Sequence, residues 1–287
     1  MTVKILTDSA SDLPKELIEE YSIDVLPLLV TIGDETFLDG DTIKPKELFN
    51  GMRDGNVYKT AQVPIGAFIE KFKEYDENTE LIYLAFSSEL SGTYQGAVMA
   101  KEQVLAEKPD LSIDLLDTKC ASMGHGMLVY QAAKMASEGK SREEIIEAVD
   151  FYKEHMVHIF TVDDLEYLYR GGRVSKTSAF VAGLLNIKPI LHVDEGKLLP
   201  LEKKKGRKKV LRRMIELINE RGSELDKQTV AISHGDDLET AEKVRDMIKD
   251  RFGTEDFIIS SIGSAVGAHA GPGTIAIFFL DELYPNT

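Results

Sequence analysis

Four short apolar runs in the first half of the chain, Val3 to Leu6, Asp24 to Val30, Leu81 to Ala85 and Ile113 to Leu116, are separated by stretches with apolar residues at helical spacing. This alternation restricts the fold more than any other feature. Parallel strands need a long crossover between them, and helices covering both faces of the sheet supply it. Pro14 opens a helix expected to reach about Tyr21, just after the turn Asp8-Ser9-Ala10-Ser11-Asp12, where carboxylate and hydroxyl oxygens can accept exposed backbone N–H groups. Pro64 precedes a helix to about Glu74, and Gly92 lies near the start of one reaching about Ala106. Polar turns thus fall at the C-terminal ends of strands, where open α/β sheets place their ligands.

From about Met156 the pattern changes. Val157 to Thr161 reads as a strand, Asp163 to Arg170 as a helix, and Ile190 to Val193 with Leu198 to Leu201 as a hairpin around Asp194-Glu195-Gly196-Lys197. A basic helix to about Arg221, a strand at Val230 to Ser233, a helix at Leu238 to Arg251, a strand at Phe257 to Ser261 and a terminal strand complete a mixed sheet. A chain of 287 residues is long enough for two lobes. The expected fold class is α/β in two domains: residues 1–156, a three-layer sandwich on a mainly parallel sheet, and residues 157–287, a mixed sheet with helices.

Composition narrows the functional classes. The apolar runs are far shorter than the roughly 20 residues that span a bilayer, and the first residues read as a strand entering a polar turn, so a cytoplasmic protein is expected. The single cysteine, Cys120, cannot form an internal disulfide and reads as structural. Six histidines without ligand spacing argue against a metal site, and a net charge of -15 argues against nucleic acid as a partner. One segment departs from that acidity: Lys203, Lys204, Lys205, Arg207, Lys208, Lys209, Arg212 and Arg213 occur with no acidic residue among them. This run is either a solvated helix face or a docking patch for an acidic protein surface, a phosphorylated group or an anionic membrane.

Three segments could carry chemistry. They are Thr60-Ala61-Gln62-Val63-Pro64, Ser87-Ser88-Glu89-Leu90-Ser91-Gly92-Thr93-Tyr94, and a glycine-rich run, Ile262 to Gly273, that sets His269 among small residues and reads as a ligand-binding turn before Thr274 to Leu280. Hydroxyls, a free N–H beside glycine at a helix start and an imidazole together can hold one small anion, a carboxylate or a phosphate.

With the opening Thr7-Asp8-Ser9-Ala10-Ser11-Asp12-Leu13, these segments resemble the DegV family of bacterial fatty-acid-binding proteins, the lipid-carrier subunits of fatty acid kinase. The resemblance spans essentially the whole chain. It includes Arg170-Gly171-Gly172-Arg173, Ile187-Lys188-Pro189-Ile190, His234-Gly235-Asp236 and Gly267-x-His269-x-Gly271-Pro272-Gly273. One departure is visible: the family often has Thr-Ser-Gln-Pro where this chain has Thr60-Ala61-Gln62-Val63-Pro64, which removes a hydroxyl and leaves Thr60 as the contact.

The resemblance implies that one long-chain fatty acid, such as palmitate, is the ligand and that no other cofactor is used. Its carboxylate would be held by Thr60, Ser91 and His269, and its tail would lie in a tunnel at and beyond the domain interface. Asp8 and Ser9, with Asp12, would order the loop beneath the head group, and Gln62, Gly92, Thr93 and Gly271 would support it. Arg173 and Arg207 would engage a kinase subunit that phosphorylates the carboxylate to an acyl phosphate for phospholipid synthesis. On this reading the chain is a lipid-transport carrier without catalysis of its own, touching an anionic membrane at most transiently.

Two enzyme readings stand beside it. A serine esterase or lipase would use Ser91 as nucleophile, His269 as base and Asp8 as the orienting carboxylate, although the Gly-x-Ser-x-Gly elbow is missing. A phosphotransferase component related to dihydroxyacetone kinase would need a phosphate-binding loop, and no Gly-x-x-x-x-Gly-Lys-Ser/Thr motif is present.

Overall fold

The computed structural model describes residues 2–175 and 187–285; Met1 of the first expected lobe and 176–186 and 286–287 of the second lie outside the described residues. The first half runs β1 (Thr2–Asp8), α1 (Lys15–Glu20), β2 (Asp24–Leu26), β3 (Leu29–Ile32), β4 (Glu35–Leu38), α2 (Pro45–Arg53), β5 (Lys59–Ala61), α3 (Ile65–Lys73), β6 (Thr79–Ala85), α4 (Thr93–Glu107), β7 (Ser112–Asp117), α5 (Met123–Ser137) and α6 (Arg142–His155). The second runs β8 (Met156–Thr161), α7 (Glu166–Arg170), β9 (Ile187–Asp194), β10 (Lys197–Lys205), α8 (Arg207–Arg221), β11 (Val230–His234), α9 (Leu238–Phe252), β12 (Phe257–Ser261), α10 (Ser264–Ala270) and β13 (Ile275–Leu280).

The fold is α/β, with one parallel and one mixed sheet. β1, β2, β6 and β7 form a parallel sheet in the order β2-β1-β6-β7. β8 to β13 form a six-stranded sheet in the order β10-β9-β8-β13-β11-β12, antiparallel except for β11 with β12. Helix α5 explains how the two sheets join. Met123 to Val129, with Ala132 and Ala133, are buried along it, the all-round burial of a helix packed on more than one side. It belongs to a core cluster that joins Ile5, Ile82 and Leu84 of the parallel sheet to Phe160, Ala276 and Phe278 of the mixed one. A second cluster covers the other face of the parallel sheet under α3 and α4, and a third lies between the mixed sheet and α8 and α9.

Three expectations are corrected. The run Asp24 to Val30 is not one strand: Pro27 has no N–H to give to a ladder, β2 ends at Leu26, and β3 joins an antiparallel sheet of order β4-β3-β5. Strands of three or four residues are too short to show a hydropathy period. The basic run is likewise divided. Lys203 to Lys205 end β10, and the helix starts at Arg207. The segment around His269 is a helix rather than a turn.

Candidate functional site

In the parallel sheet β2 lies on one side of β1 and β6 on the other, so the loops leaving β1 and β6 diverge and open a crevice at the strands' C-terminal edge. Ala10, Phe86 to Gly92 and Ser122 come from the loops after β1, β6 and β7, and some of them line a cavity there. The mixed sheet closes the far side with Phe160, Val193, Ser233, Ala276 and Phe278, and α10 contributes Ala265, Val266 and His269. The cavity measures about 240 Å³, many times the ~10–15 Å³ that one water needs on the same measure. Its walls are mostly apolar, with Leu28, Leu90, Leu168, Leu198 and Ile262 beside the aromatic rings.

Thr60, Ser91 and His269 all line this cavity. Thr60 lies on β5, opposite Val30 of β3, rather than in a turn. His269 lies in the last turn of α10, and its Nε2 is 2.6 Å from Thr60 Oγ1. Ser91 precedes α4, and its Oγ is 2.8 Å from Thr93 Oγ1. Burial, and after it the positive charge of Arg173, hold the His269 imidazole down at about 4, so the ring is neutral at neutral pH. Arg173 also lines the cavity. Its Nε donates to Leu90 O at 3.1 Å and its Nη1 to Gly171 O, and burial lowers its pKa.

The supporting residues divide by role. Asp8 accepts from the Tyr83 hydroxyl at 2.8 Å and from the Phe86 and Ala10 amides at 3.0 and 3.2 Å, and so ties β1 to the loop whose Phe86 lines the cavity. Ser9 donates to Asp39 at 2.8 Å and accepts from the Leu28 amide. The Gln62 amide packs over Gly92, where a Cβ would collide with it. Thr93 Oγ1 accepts from Val63 N at 3.4 Å. Gly271 closes α10 at φ 81°, with the Tyr167 ring against its Cα, a combination only glycine meets without strain. Arg207 does not line this cavity. Its guanidinium bonds Asp163, Asp237 and the Gly273 carbonyl at 2.8, 2.5 and 2.9 Å.

The hydrolase arrangement is not assembled. His269 is bonded to Thr60 and Ser91 to Thr93, and Asp8 is occupied by a tyrosine and two amides. Among the described residues no group of three or more His, Cys, Asp or Glu side chains could hold a metal ion, and no helix is long and apolar enough to cross a membrane.

Other residues of the site have roles that sequence reasoning gave differently or missed. Asp12, expected to order the loop beneath the head group, lies at φ 52° after the 3-10 turn Ser9–Ser11 and does not cap α1. Its carboxylate takes the Gly263 amide at 2.8 Å and the Ser122 hydroxyl, and Asp39 takes the Ser264 amide at 2.7 Å. Both therefore hold the N-terminus of the helix that carries His269. Burial raises the pKa of each. Asp39 stands in an acidic surface-like segment, Asp34 to Asp41, and no spacing sets it apart. His158, which lines the cavity, accepts from the Ala121 amide at 3.2 Å while its Nδ1 faces Met156 O at 3.1 Å, and burial holds it near 4. A second cavity, of about 340 Å³, shares Thr60, Arg173 and His269 with the first. The Thr60–His269 pair thus lies where the two cavities meet.

The mixed and the parallel sheet thus enclose an apolar cavity edged by hydroxyls and an imidazole, the form that small-molecule sites commonly take. Residues 2–282 match the profile of the DegV family, described as "Uncharacterised protein, DegV family", and the chain belongs to that family. A DegV domain-containing protein of Clostridium perfringens is 42% identical over 282 residues, covering 97% of each chain. A Thermotoga maritima protein whose structure is described as revealing a fatty acid binding function is 32% identical, with a TM-score of 0.84 over 97% of this chain and 98% of that one. The Streptococcus pneumoniae Fatty Acid Kinase (Fak) B3 protein, loaded with linoleic acid, is 22% identical, with a TM-score of 0.85 over 98% of this chain and 100% of that one. At that identity it speaks for the fold alone.

Proposed function

We propose that this protein holds one long-chain fatty acid, its carboxylate at Thr60, Ser91 and His269 and its tail in the apolar cavity, and presents that carboxylate to a separate kinase subunit. The observation that carries the reading is the placing of the 2.6 Å Thr60–His269 pair in the wall of a cavity lined otherwise mainly by aliphatic and aromatic side chains. Burying about fourteen methylenes at roughly 0.8 kcal/mol each offers about 11 kcal/mol gross, before association and ordering costs. The tail supplies affinity and the head group supplies orientation, since a buried anion without donors is costly.

Carriage rather than turnover fits the absence of an assembled nucleophile and base among the described residues. The Thr60–His269 pair also borders the second cavity. There a kinase subunit would reach it, the γ-phosphoryl of ATP passing to a carboxylate oxygen and ADP leaving. Arg173, beside the head group, is the cation placed to steady the product. Contact of a partner with Arg207 would compete with its bonds to Asp163 and Asp237. The lobes 1–156 and 157–287 would act as the two jaws around the tail, inside the cell, and the exposed Lys208, Lys209 and Arg212 suit brief contact with an anionic membrane.

Native mass spectrometry tests the lipid assignment. Purified protein should carry, or take up, an acid of roughly 14 to 18 carbons; a chain that stays empty after incubation with palmitate ends the proposal. Transfer of label from ATP to palmitate only when a kinase subunit is added tests the carrier role, and label without that partner contradicts it.

A further inference from the structure

The apolar cavity has polar side chains at two separate places. One is the head-group end, where α10 carries His269 and the Thr274 hydroxyl bonds the Ala270 and Gly271 carbonyls at 2.9 Å. The other lies along the mixed sheet. Ser233 of β11 stands opposite Ala276 of β13, which stands opposite Phe160 of β8, and all three line the cavity. Residues on one face of a strand follow each other at about 7 Å. This row therefore lies one step beyond Thr274, and Phe278 with His158 forms the next. Ser122, from the loop after β7, meets Ser233 there: the two Oγ atoms are 3.0 Å apart, and Ser122 Oγ is also bonded to the Asp12 carboxyl. Ser122 has φ 51° and ψ -141°, a conformation that suits glycine and strains other residues. Glycine would serve if the backbone alone mattered, so the hydroxyl is what the strained position supplies.

The hydrogen-bonding capacity of this pair is not used up. His158, one row further, spends Nε2 on the Ala121 amide and Nδ1 on Met156 O, whereas the Ser233 hydroxyl has Ser122 as its one partner among the described residues. A hydroxyl carries one donor and two lone pairs. With Asp12 ionised, the protons point from Ser233 to Ser122 to Asp12, and the Ser233 oxygen keeps its lone pairs. With Asp12 protonated the direction reverses, and Ser233 offers its proton. A guest hydroxyl, which both donates and accepts, meets either arrangement.

We propose that the Ser122–Ser233 pair is a subsite for a hydroxyl group borne part-way along the acyl chain, which makes hydroxylated fatty acids a ligand class of this protein. The inference rests on the reading that the tail lies in this cavity. A chain hydroxyl brought into an apolar space without a partner is penalised, and the pair removes that penalty at one depth only. Position along the chain is then the recognised feature: Thr60 and His269 fix the carboxylate, and the serines fix the distance from it at which an oxygen is accepted. A plain chain loses little beside the pair, since the two serines remain bonded to each other and to Asp12.

Competition against a fluorescent fatty acid tests this with stearate, oleate and a series of stearates carrying one hydroxyl at successive mid-chain carbons. Affinity should show a narrow optimum, with about one or two adjacent positions within about threefold of stearate and the other mid-chain positions about tenfold or more weaker. Ser233→Ala and Ser122→Gly, the second of which suits the backbone at φ 51°, should each lower the ratio of the best hydroxystearate's affinity to that of stearate about tenfold. A uniform penalty at every position, or a ratio unchanged in both variants, overturns the subsite. An equal fall in the oleate-to-stearate ratio overturns it too, since the serines would then read a bend in the chain and not an oxygen. Wild-type protein that binds stearate and rejects every hydroxystearate sinks the subsite alone. Protein that binds none of these acids sinks the fatty acid reading with it, so the two failures are told apart.

Discussion

Thr60 Oγ1 and His269 Nε2 stand 2.6 Å apart across 209 positions of sequence, one on a three-residue strand and the other in the last turn of a seven-residue helix. The contact joins an element of the first half to one of the second at the point where an apolar cavity meets a polar one.

Thr60→Val keeps the shape and removes the hydroxyl. Loss of a half-buried donor to a charged head group costs about 1–3 kcal/mol, so palmitate affinity should fall roughly five- to 150-fold. Competition with a fluorescent fatty acid reads this directly. Unchanged affinity would remove Thr60 from the head-group site.

Gly171 is tested by Gly171→Ala. Its φ of -72° suits any residue, but a Cβ there would collide with the His269 ring. The substitution should displace the imidazole from Thr60, lowering palmitate affinity about tenfold with little change in the far-ultraviolet circular dichroism. Combined with His269→Ala it should add almost nothing, because both changes remove the same contact.

The pH dependence of binding follows from His269, which burial and Arg173 hold at about 4 against its usual 6.5. An arriving carboxylate favours the imidazolium and raises that value, so binding takes up a proton. Palmitate affinity should therefore rise as the pH falls from about 6.5 towards the carboxylate's own titration near 4 to 5. The slope should vanish in His269→Gln. Affinity that falls with acidification over that range contradicts the scheme.

Asp39 anchors α10 through the Ser264 amide and takes the Ser9 hydroxyl as well. Asp39→Ala leaves both groups without their acceptor and should cost about 1–3 kcal/mol in urea unfolding, with weakened palmitate binding. Because burial raises the pKa of Asp39 and Asp12, their charges oppose folding at neutral pH, and that penalty fades as the pH falls through their folded values. Asp39→Asn should thus be tolerated better than Asp39→Ala.

Ala276 lies on β13 with its side chain in the cavity wall. Ala276→Leu takes space from the tail, and each methylene excluded forfeits about 0.8 kcal/mol. The bound acids, identified by mass spectrometry after extraction, should shift towards shorter chains. An unchanged lipid profile would place the tail elsewhere.

Much of this was legible in the residues. The strand-and-helix alternation from Val3 to Leu116 announces the parallel sheet, and the polar residues after β1 and β6 mark the edge where the cavity opens. The motifs around Ser91, Arg173 and His269 point to the family that the profile match shows. The helical state of α10 was not legible. Its residues, Ser264-Ala265-Val266-Gly267-Ala268-His269-Ala270, are small and include a glycine, so intrinsic propensity says little. So short a helix depends on its packing: Gly267 lies against Phe49 of α2, and Asp12 and Asp39 receive the amides at its start.

Most of the strand and helix order, apart from the short strands β3 to β5 and helix α10, and the chemistry gathered in three polar segments were determined by the sequence alone, because periodicity and turn residues act over a few neighbours. Only the tertiary structure decided that Thr60 meets His269, that two buried carboxylates steady the helix between them, and that the Thr60–His269 pair borders two cavities. Those relationships depend on which distant side chains share a desolvated space, where hydrogen bonds and charges act strongly, and no local pattern encodes that choice.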